Sequence, residues 1–339
     1  MRNQEGWVYS FKSDARKRKL NNSVETTVDE TVDLNGATRF VAESYGAGSA
    51  SSVAALGGGD WSRAFSFCLE GREMVARFGR HQEDFLKDRH AMTFAGPNLP
   101  IPTVIEVGEA AGGFYAVSER HFGVFLETLD ERGWRTLLPA LLRGLDALRA
   151  IRFEGGVDWM ADGEGSPLGW RQWLLSSLED HPGGRVSGWR SVLQETPDIE
   201  KVFVAGESAL RSLLWACPED RHLLHRDLLN RNVLVTADTS RLEAVFDWGC
   251  SLAGDFLYEV AWLTFWAPWY PALEAIDFRR VILEHYHRIG LAVDHFDQRL
   301  SCYELQIGLE HIAYAAFTGR NDDQQAITHR TRQILESSA

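Results

Sequence analysis

The sequence predicts an α+β protein of two lobes, a small antiparallel β-rich lobe followed by a larger, mostly helical one. Two observations carry this. Between Ala64 and Ser118, short alternating stretches are separated by turn residues and interrupted by a single helical pattern, which reads as hairpins rather than as parallel crossovers. After Gly123 the texture changes to long helical patterns, broken by two short strand-like runs at Val233–Val235 and Ala244–Phe246. With 339 residues, eighteen Phe and twelve Trp, the chain has ample material for one large core or two medium ones, and bulk disorder is excluded.

In chain order, residues 1–34 read as a poorly ordered basic and polar extension, with Arg2, Lys12, Arg16, Lys17, Arg18 and Lys19 opposing only Glu5 and Asp14. A localisation signal at Lys17–Lys19 is the sharper reading, and nothing else in the chain supports it. The first lobe is placed at 35–120. It begins with a helix over Ala37–Ala47, ending near Gly46 and Gly48. Gly57, Gly58 and Gly59 precede the first expected strand, Ala64–Leu69, and Glu70-Gly71-Arg72 turns it into Glu73–Phe78. A helix over Glu83–Phe94 follows, broken by Asn98–Pro102, and Val104–Val107 and Phe114–Ser118 form the next strand pair. The second lobe, 121–339, opens on helices at Trp134–Ile151, Trp170–Leu178 and Ile199–Trp215, the last with Asp198 as N-cap.

Charge and cysteine usage narrow the function. Thirty-five basic against 48 acidic side chains give a net charge of −13, which disfavours a nucleic-acid partner and favours a cationic small molecule. The first twenty residues contribute +4, which leaves −17 from Asn21 onward. Cys68, Cys217, Cys250 and Cys302 lie far apart with no C-x-x-C pair, so reduced thiols in a cytoplasm are expected rather than disulfides or zinc. The most apolar stretch, Val260–Leu273, has 14 residues and contains Pro268 and Pro271. That is too short to cross a bilayer, and no membrane partner is expected.

The chemistry concentrates in His225-Arg226-Asp227-Leu228-Leu229-Asn230-Arg231-Asn232, directly ahead of a strand whose hairpin partner returns to Asp247. The hairpin brings Asn232 and Asp247 to its open end. Phosphoryl transfer calls for these groups: Asp227 to accept or orient the proton of an attacking hydroxyl, Asn232 and Asp247 as oxygen ligands for Mg²⁺. A lone H-x-D is more often a structural turn, but the whole constellation is not explained by a surface loop.

In these phrases the chain resembles the aminoglycoside phosphotransferase family, with its hygromycin-type members the nearest. The matching stretches are Trp61–Phe67, Phe85–Arg89, Leu99–Pro102, Cys217–His225, Val245–Trp248 and Gly254–Ala261, from roughly Leu34 to the C-terminus. The resemblance implies a bilobal protein-kinase-like fold, ATP between the lobes with GTP left open, Mg²⁺ on Asn232 and Asp247, and Asp227 as catalytic base. It implies an acceptor hydroxyl on an aminoglycoside or aminocyclitol such as hygromycin B and a resistance role; a monomer is expected apart from the resemblance. Gly58, Gly59 and Ser62 would cover the phosphates, although the G-x-G-x-x-G spacing is absent. Arg77 stands where such folds carry a Lys, with Asp88 or Glu83 as its partner, and the backbone near Glu119 and Arg120 would meet the adenine edge. Asp255, His222 and His225 read as scaffold. Trp262, Phe265, Trp266, Trp269 and Tyr270 read first as core and second as a sugar-stacking wall, with Glu274, Asp277, Glu304 and Glu310 as candidates to meet ammonium groups.

Rival readings keep the fold and change the acceptor to a macrolide, an amino sugar or a metabolite alcohol, or make the chain a non-catalytic binding protein. Protein-kinase activity is disfavoured, because no A-P-E-like motif follows Asp247.

Overall fold

Residues 32–46, 48, 50–159 and 168–338 are described by the computed structural model of the chain. They form two compact units. One takes the chain up to Leu129 together with Asn230–Cys250, and the other takes Asp130–Leu229 with everything from Ser251. Most of the expected N-terminal extension, including Lys17–Lys19, lies outside the described residues. Val32 is buried, and Asp33 caps the first helix, its carboxylate accepting from the Gly36 N–H at 2.7 Å.

The first unit is built on a five-stranded antiparallel sheet in the order β1-β2-β3-β5-β4. Helix α1 (Leu34–Tyr45) packs through Ala37 and Val41 onto a cluster of Phe65, Phe67, Phe78 and Tyr115. The strands are β1 (Ala50–Gly58), β2 (Ser62–Leu69), β3 (Arg72–Gly79), β4 (Val104–Ala110) and β5 (Gly113–Glu119). Between β2 and β3, Glu70 and Gly71 both take positive φ, 51° and 81°, closing the expected two-residue turn. Strand β1 was not expected. It is an edge strand, exposed along most of its length and twice shifted in register against β2, so no apolar alternation marks it. The glycine run therefore closes a hairpin between two strands instead of preceding the first one. Helix α2 (Gln82–Ala91) continues into a 3₁₀ turn, Met92–Phe94, and buries Phe85 against Val104 and Ala116.

After β6 (Val124–Phe125) the chain enters the helical unit with α3 (Glu131–Ala150), α4 (Trp170–Ser176), α5 (Trp189–Gln194) and α6 (Pro197–Leu213). Asp198 is not the N-cap of α6. Thr196 takes that position, because Pro197 occupies the first turn and draws Asp198 inside the helix. Strand β7 (His222–Leu224) follows. The chain then returns to the first unit, where β8 (Val233–Val235) and β9 (Leu242–Val245) form a small sheet in the order β6-β8-β9. This pairing, with the Val245 N–H donated to the Pro100 carbonyl at 2.7 Å, is why Asn230–Cys250 packs with the first unit. The expected division at 120/121 had placed that stretch with the helices. Strand β10 (Leu252–Gly254) pairs with β7, and α7 (Leu257–Trp266), α8 (Pro271–Glu274), α9 (Phe278–Arg288), α10 (Phe296–Thr318) and α11 (Asn321–Ser338) complete the helical unit. Helix α10 packs against α5, α6, α7 and α11. Among the described residues no helix is long and apolar enough to cross a membrane.

Candidate active site

Arg77 lies on β3 with its guanidinium largely buried between two carboxylates. It pairs with Asp88 of α2 and, from Nη1, with Asp247 Oδ1 at 3.1 Å, while its plane covers the Phe85 ring. Glu83 is not its partner. The other oxygen of Asp88 accepts the Trp248 N–H at 2.8 Å, so a single carboxylate ties β3, α2 and the Asp247-Trp248-Gly249 turn together. Burial pushes the Asp88 carboxyl up to about 6 although Arg77 opposes the shift. Burial works against the charge on Arg77 too, but Asp247 and Asp88 outweigh it. Lys87, also on α2, reaches the Gly249 carbonyl at 3.4 Å, and a side chain at Gly249 would run into Asp84.

Asn232 and Asp247 flank the first rung of the β8–β9 hairpin, where the Phe246 N–H is donated to the Asn232 carbonyl at 3.0 Å. Their side chains offer hard oxygen donors of the kind Mg²⁺ takes, and Asp247 keeps 43% of its side chain exposed, so the donor set fits a divalent ion. Among the described residues no cluster of three or more His, Cys, Asp or Glu could hold a metal, so further ligands would come from water or substrate oxygens. The backbone here is strained. Arg226, Asn230, Arg231 and Asp247 all take positive φ, at 64°, 128°, 62° and 68°, as loops held by their surroundings do at functional sites. Glu127 supplies part of that hold: one of its oxygens accepts both the Asn230 and the Arg231 N–H.

On the helical unit, His225 is fully buried and its Nδ1 accepts the Asp227 N–H at 3.2 Å. His222 is buried, bonded to the Arg149 carbonyl, and its basicity is lowered by burial. Asp255 is buried and clamped by Arg299, at 2.8 and 2.5 Å, and by the Tyr303 hydroxyl. All three are buried and bonded within the protein. Asp227 itself is half-buried, five residues ahead of Asn232 on the same loop.

The remaining expected positions are more mixed. The Gly59 N–H is donated to the Ser62 carbonyl at 3.0 Å, and a side chain at Gly58 would crowd Ser62 and Arg63, so Gly58 is needed for the turn itself, whereas a Cβ at Gly59 would meet open space. The Glu119 and Arg120 N–H groups are donated to the Thr103 and Glu73 carbonyls, both at 3.0 Å, and are therefore spent within the protein. Their side chains pair with Arg72 and Glu73 across the sheet. Trp262, Phe265 and Trp266 are buried. Glu304 is buried with Thr264 and Arg279, Glu310 pairs with Arg226, and Asp277 caps α9, so these three acids are already engaged. Sequence reasoning missed Glu127 and Glu259, whose partners lie 103 and 33 residues away along the chain.

Residues 53–292 match the phosphotransferase enzyme family. The chain belongs to that family. It is 33% identical over 309 residues to hygromycin-B 4-O-kinase of Escherichia coli, across 89% of this chain and 85% of that protein. A solved structure of a thermostable mutant of the aminoglycoside phosphotransferase APH(4)-Ia, in ternary complex with ADP and hygromycin B, superposes with a TM-score of 0.76 at 30% identity. That match covers 89% of this chain and 98% of the other. Another structure of APH(4)-Ia matches at the same score and identity, over 90% and 99% of the two chains. The chain is thus a phosphotransferase of kinase-like fold, an enzyme that transfers a phosphoryl group to an alcohol oxygen.

Proposed function

We propose that this phosphotransferase moves the γ-phosphoryl group of ATP to a hydroxyl of an aminoglycoside or aminocyclitol, with hygromycin B the first acceptor to test. The observation that carries the acceptor class is the 33% identity to hygromycin-B 4-O-kinase along nearly the whole chain. The acidity of the chain agrees with a polycationic acceptor. The four cysteines are unpaired, in keeping with work in a reducing cytoplasm.

In this reading Asp227 orients the acceptor hydroxyl and takes its proton as the oxygen attacks phosphorus. Arg77, held between Asp88 and Asp247, meets phosphate oxygens. It is a fixed planar cation where a Lys would be a mobile point charge. Asn232 and Asp247 would hold Mg²⁺, which when bound neutralises charge on the phosphates. Gly58, Gly59 and Ser62 form the turn that would lie over the phosphates. Glu119 and Arg120 keep only their carbonyls for an adenine edge, because their N–H groups are donated elsewhere.

The test is acceptor-dependent ADP release across a panel of hygromycin B, other aminoglycosides, a macrolide, an amino sugar and simple alcohols, followed by locating the phosphate on the product. Asp227→Ala is expected to lose about 10²–10⁴ of the hygromycin-dependent rate. Full turnover in that variant would remove Asp227 as the base. A neutral alcohol outrunning every aminoglycoside would remove the acceptor class.

A further inference from the structure

Arg226, between His225 and Asp227, sits at φ 64°, a region glycine enters freely and other residues seldom occupy. Its surroundings account for it. The backbone N–H is donated to Glu259 Oε1 on α7 at 2.8 Å. Its Nη2 donates to both carboxylate oxygens of Glu310 on α10, at 2.9 and 2.7 Å. The guanidinium lies over the Trp173 ring, 4.5 Å from its centroid, and 5.4 Å from that of Tyr258. Glu310 is held in turn, because Gln306 donates to it at 3.2 Å while accepting the Tyr258 hydroxyl. An arginine in a left-handed backbone, its side chain only 10% exposed, is thus fastened at both ends by acids from two helices.

We infer that Glu310 and Glu259 are positioning residues: they lock Arg226 in its left-handed conformation and so set the direction in which Asp227 presents its carboxylate. Neither acid touches the reacting atoms. Glu310, which its place on α10 would otherwise offer to an ammonium group of the acceptor, is committed to Arg226. The inference rests on Asp227 being the catalytic base.

The lock can be separated from ordinary stabilisation, because glycine needs no lock. Turnover, both KM values and the thermal midpoint are measured for Glu310→Ala, Arg226→Gly and the double variant, with Asp227→Ala alongside. Glu310→Ala alone is expected to lower kcat by about tenfold or more, with both KM values little changed, since a displaced catalytic group costs rate rather than affinity. In the Arg226→Gly background, expected to keep measurable turnover because glycine enters the left-handed region unaided, the same change is expected to stay within about twofold, and an inactive Arg226→Gly overturns the inference. Equal losses in the two backgrounds overturn the inference. So does a loss confined to the acceptor KM, which would make Glu310 an acceptor contact. If Glu310→Ala does not fold with its arginine left unpaired, Glu310→Gln takes its place in the same cycle. An inactive Asp227→Ala with an additive cycle removes only this inference, whereas an active Asp227→Ala removes the base assignment and this inference with it.

Discussion

Glu259 is the residue whose environment differs most from its ordinary chemistry among the acids that hold the His225–Asn232 loop. It is 2% exposed, and burial raises its carboxyl from 4.5 to about 7 against the Arg226 and His225 N–H groups and the Arg226 charge, which favour ionisation. The folded chain therefore keeps a proton that the unfolded chain releases near pH 4.5. The stability tied to that proton is complete below the unfolded value and is lost as pH rises through the folded one, a change of about 3 kcal/mol. Glu259→Gln copies the protonated form and still accepts the Arg226 N–H. Its stability relative to the parent is expected to climb between pH 5 and pH 8, approaching that magnitude, as read from urea denaturation at both ends. A parallel pH dependence in the two proteins would mean that another group titrates. Residues at this scale were unequally legible. Asp227, Asn232 and Asp247 fall within one loop and hairpin, so local spacing is enough to propose them together. Glu127, Glu259 and Glu310 meet the loop only through tertiary packing, from 103, 33 and 84 residues away, and no local spacing ties them to it.

At the scale of elements, the shortest ones carry the site. Strands β7 and β10 have three residues each, yet β7 leads directly into His225, and its pairing with β10 fixes where that loop begins. Gly254 ends β10 with no room for a side chain, since a Cβ there would strike the fully buried ring of Trp170. Gly254→Ala is therefore expected to cost about 1–3 kcal/mol by overpacking and to lower kcat as β7 shifts. Gly290→Ala is the control. It has positive φ but open space around it, so it should cost about 1 kcal/mol through the backbone alone and leave kcat unchanged. Urea denaturation and steady-state turnover read both, and a Gly254→Ala enzyme as active and stable as the parent would remove β10 from this role. Strands β7 and β10 were not read from the sequence, unlike the equally short β8, because neither is flanked by a turn that marks a hairpin, and β1 escapes because an exposed edge needs no apolar face. The longer patterns, β2, β3, α3 and α6, were legible to within a few residues because each buries one continuous face. At α6 the proline, fixed in φ, outweighed the capping preference of Asp198.

Across the whole chain, the His225–Asn232 stretch contains the point where the sequence passes from one unit to the other. Leu229 closes a segment of the helical unit and Asn230 opens one of the sheet unit, so eight consecutive residues give Asp227 to one and Asn232 to the other. The expected boundary at 120/121 kept all of 121–339 together, whereas Asn230–Cys250 packs with the first unit because β8 and β9 pair with β6. The net charge of −13 acts at this same scale. Of the four acids offered by the sequence, Glu304, Glu310 and Asp277 are engaged within the protein and only Glu274 is left for direct contact, so attraction to a polycation is expected to come mainly from the summed field. A field of that kind is screened over about 10 Å at 0.1 M salt and acts on encounter more than on the bound geometry. Raising KCl from 0.05 to 0.5 M should therefore lower kcat/KM for an aminoglycoside several-fold, mainly through KM, while leaving kcat at saturation nearly constant. An uncharged acceptor turned over by the same enzyme should show no such slope. A salt-independent KM for the aminoglycoside would place recognition in a few desolvated contacts instead, and the acidity of the chain would then have no part in choosing its acceptor.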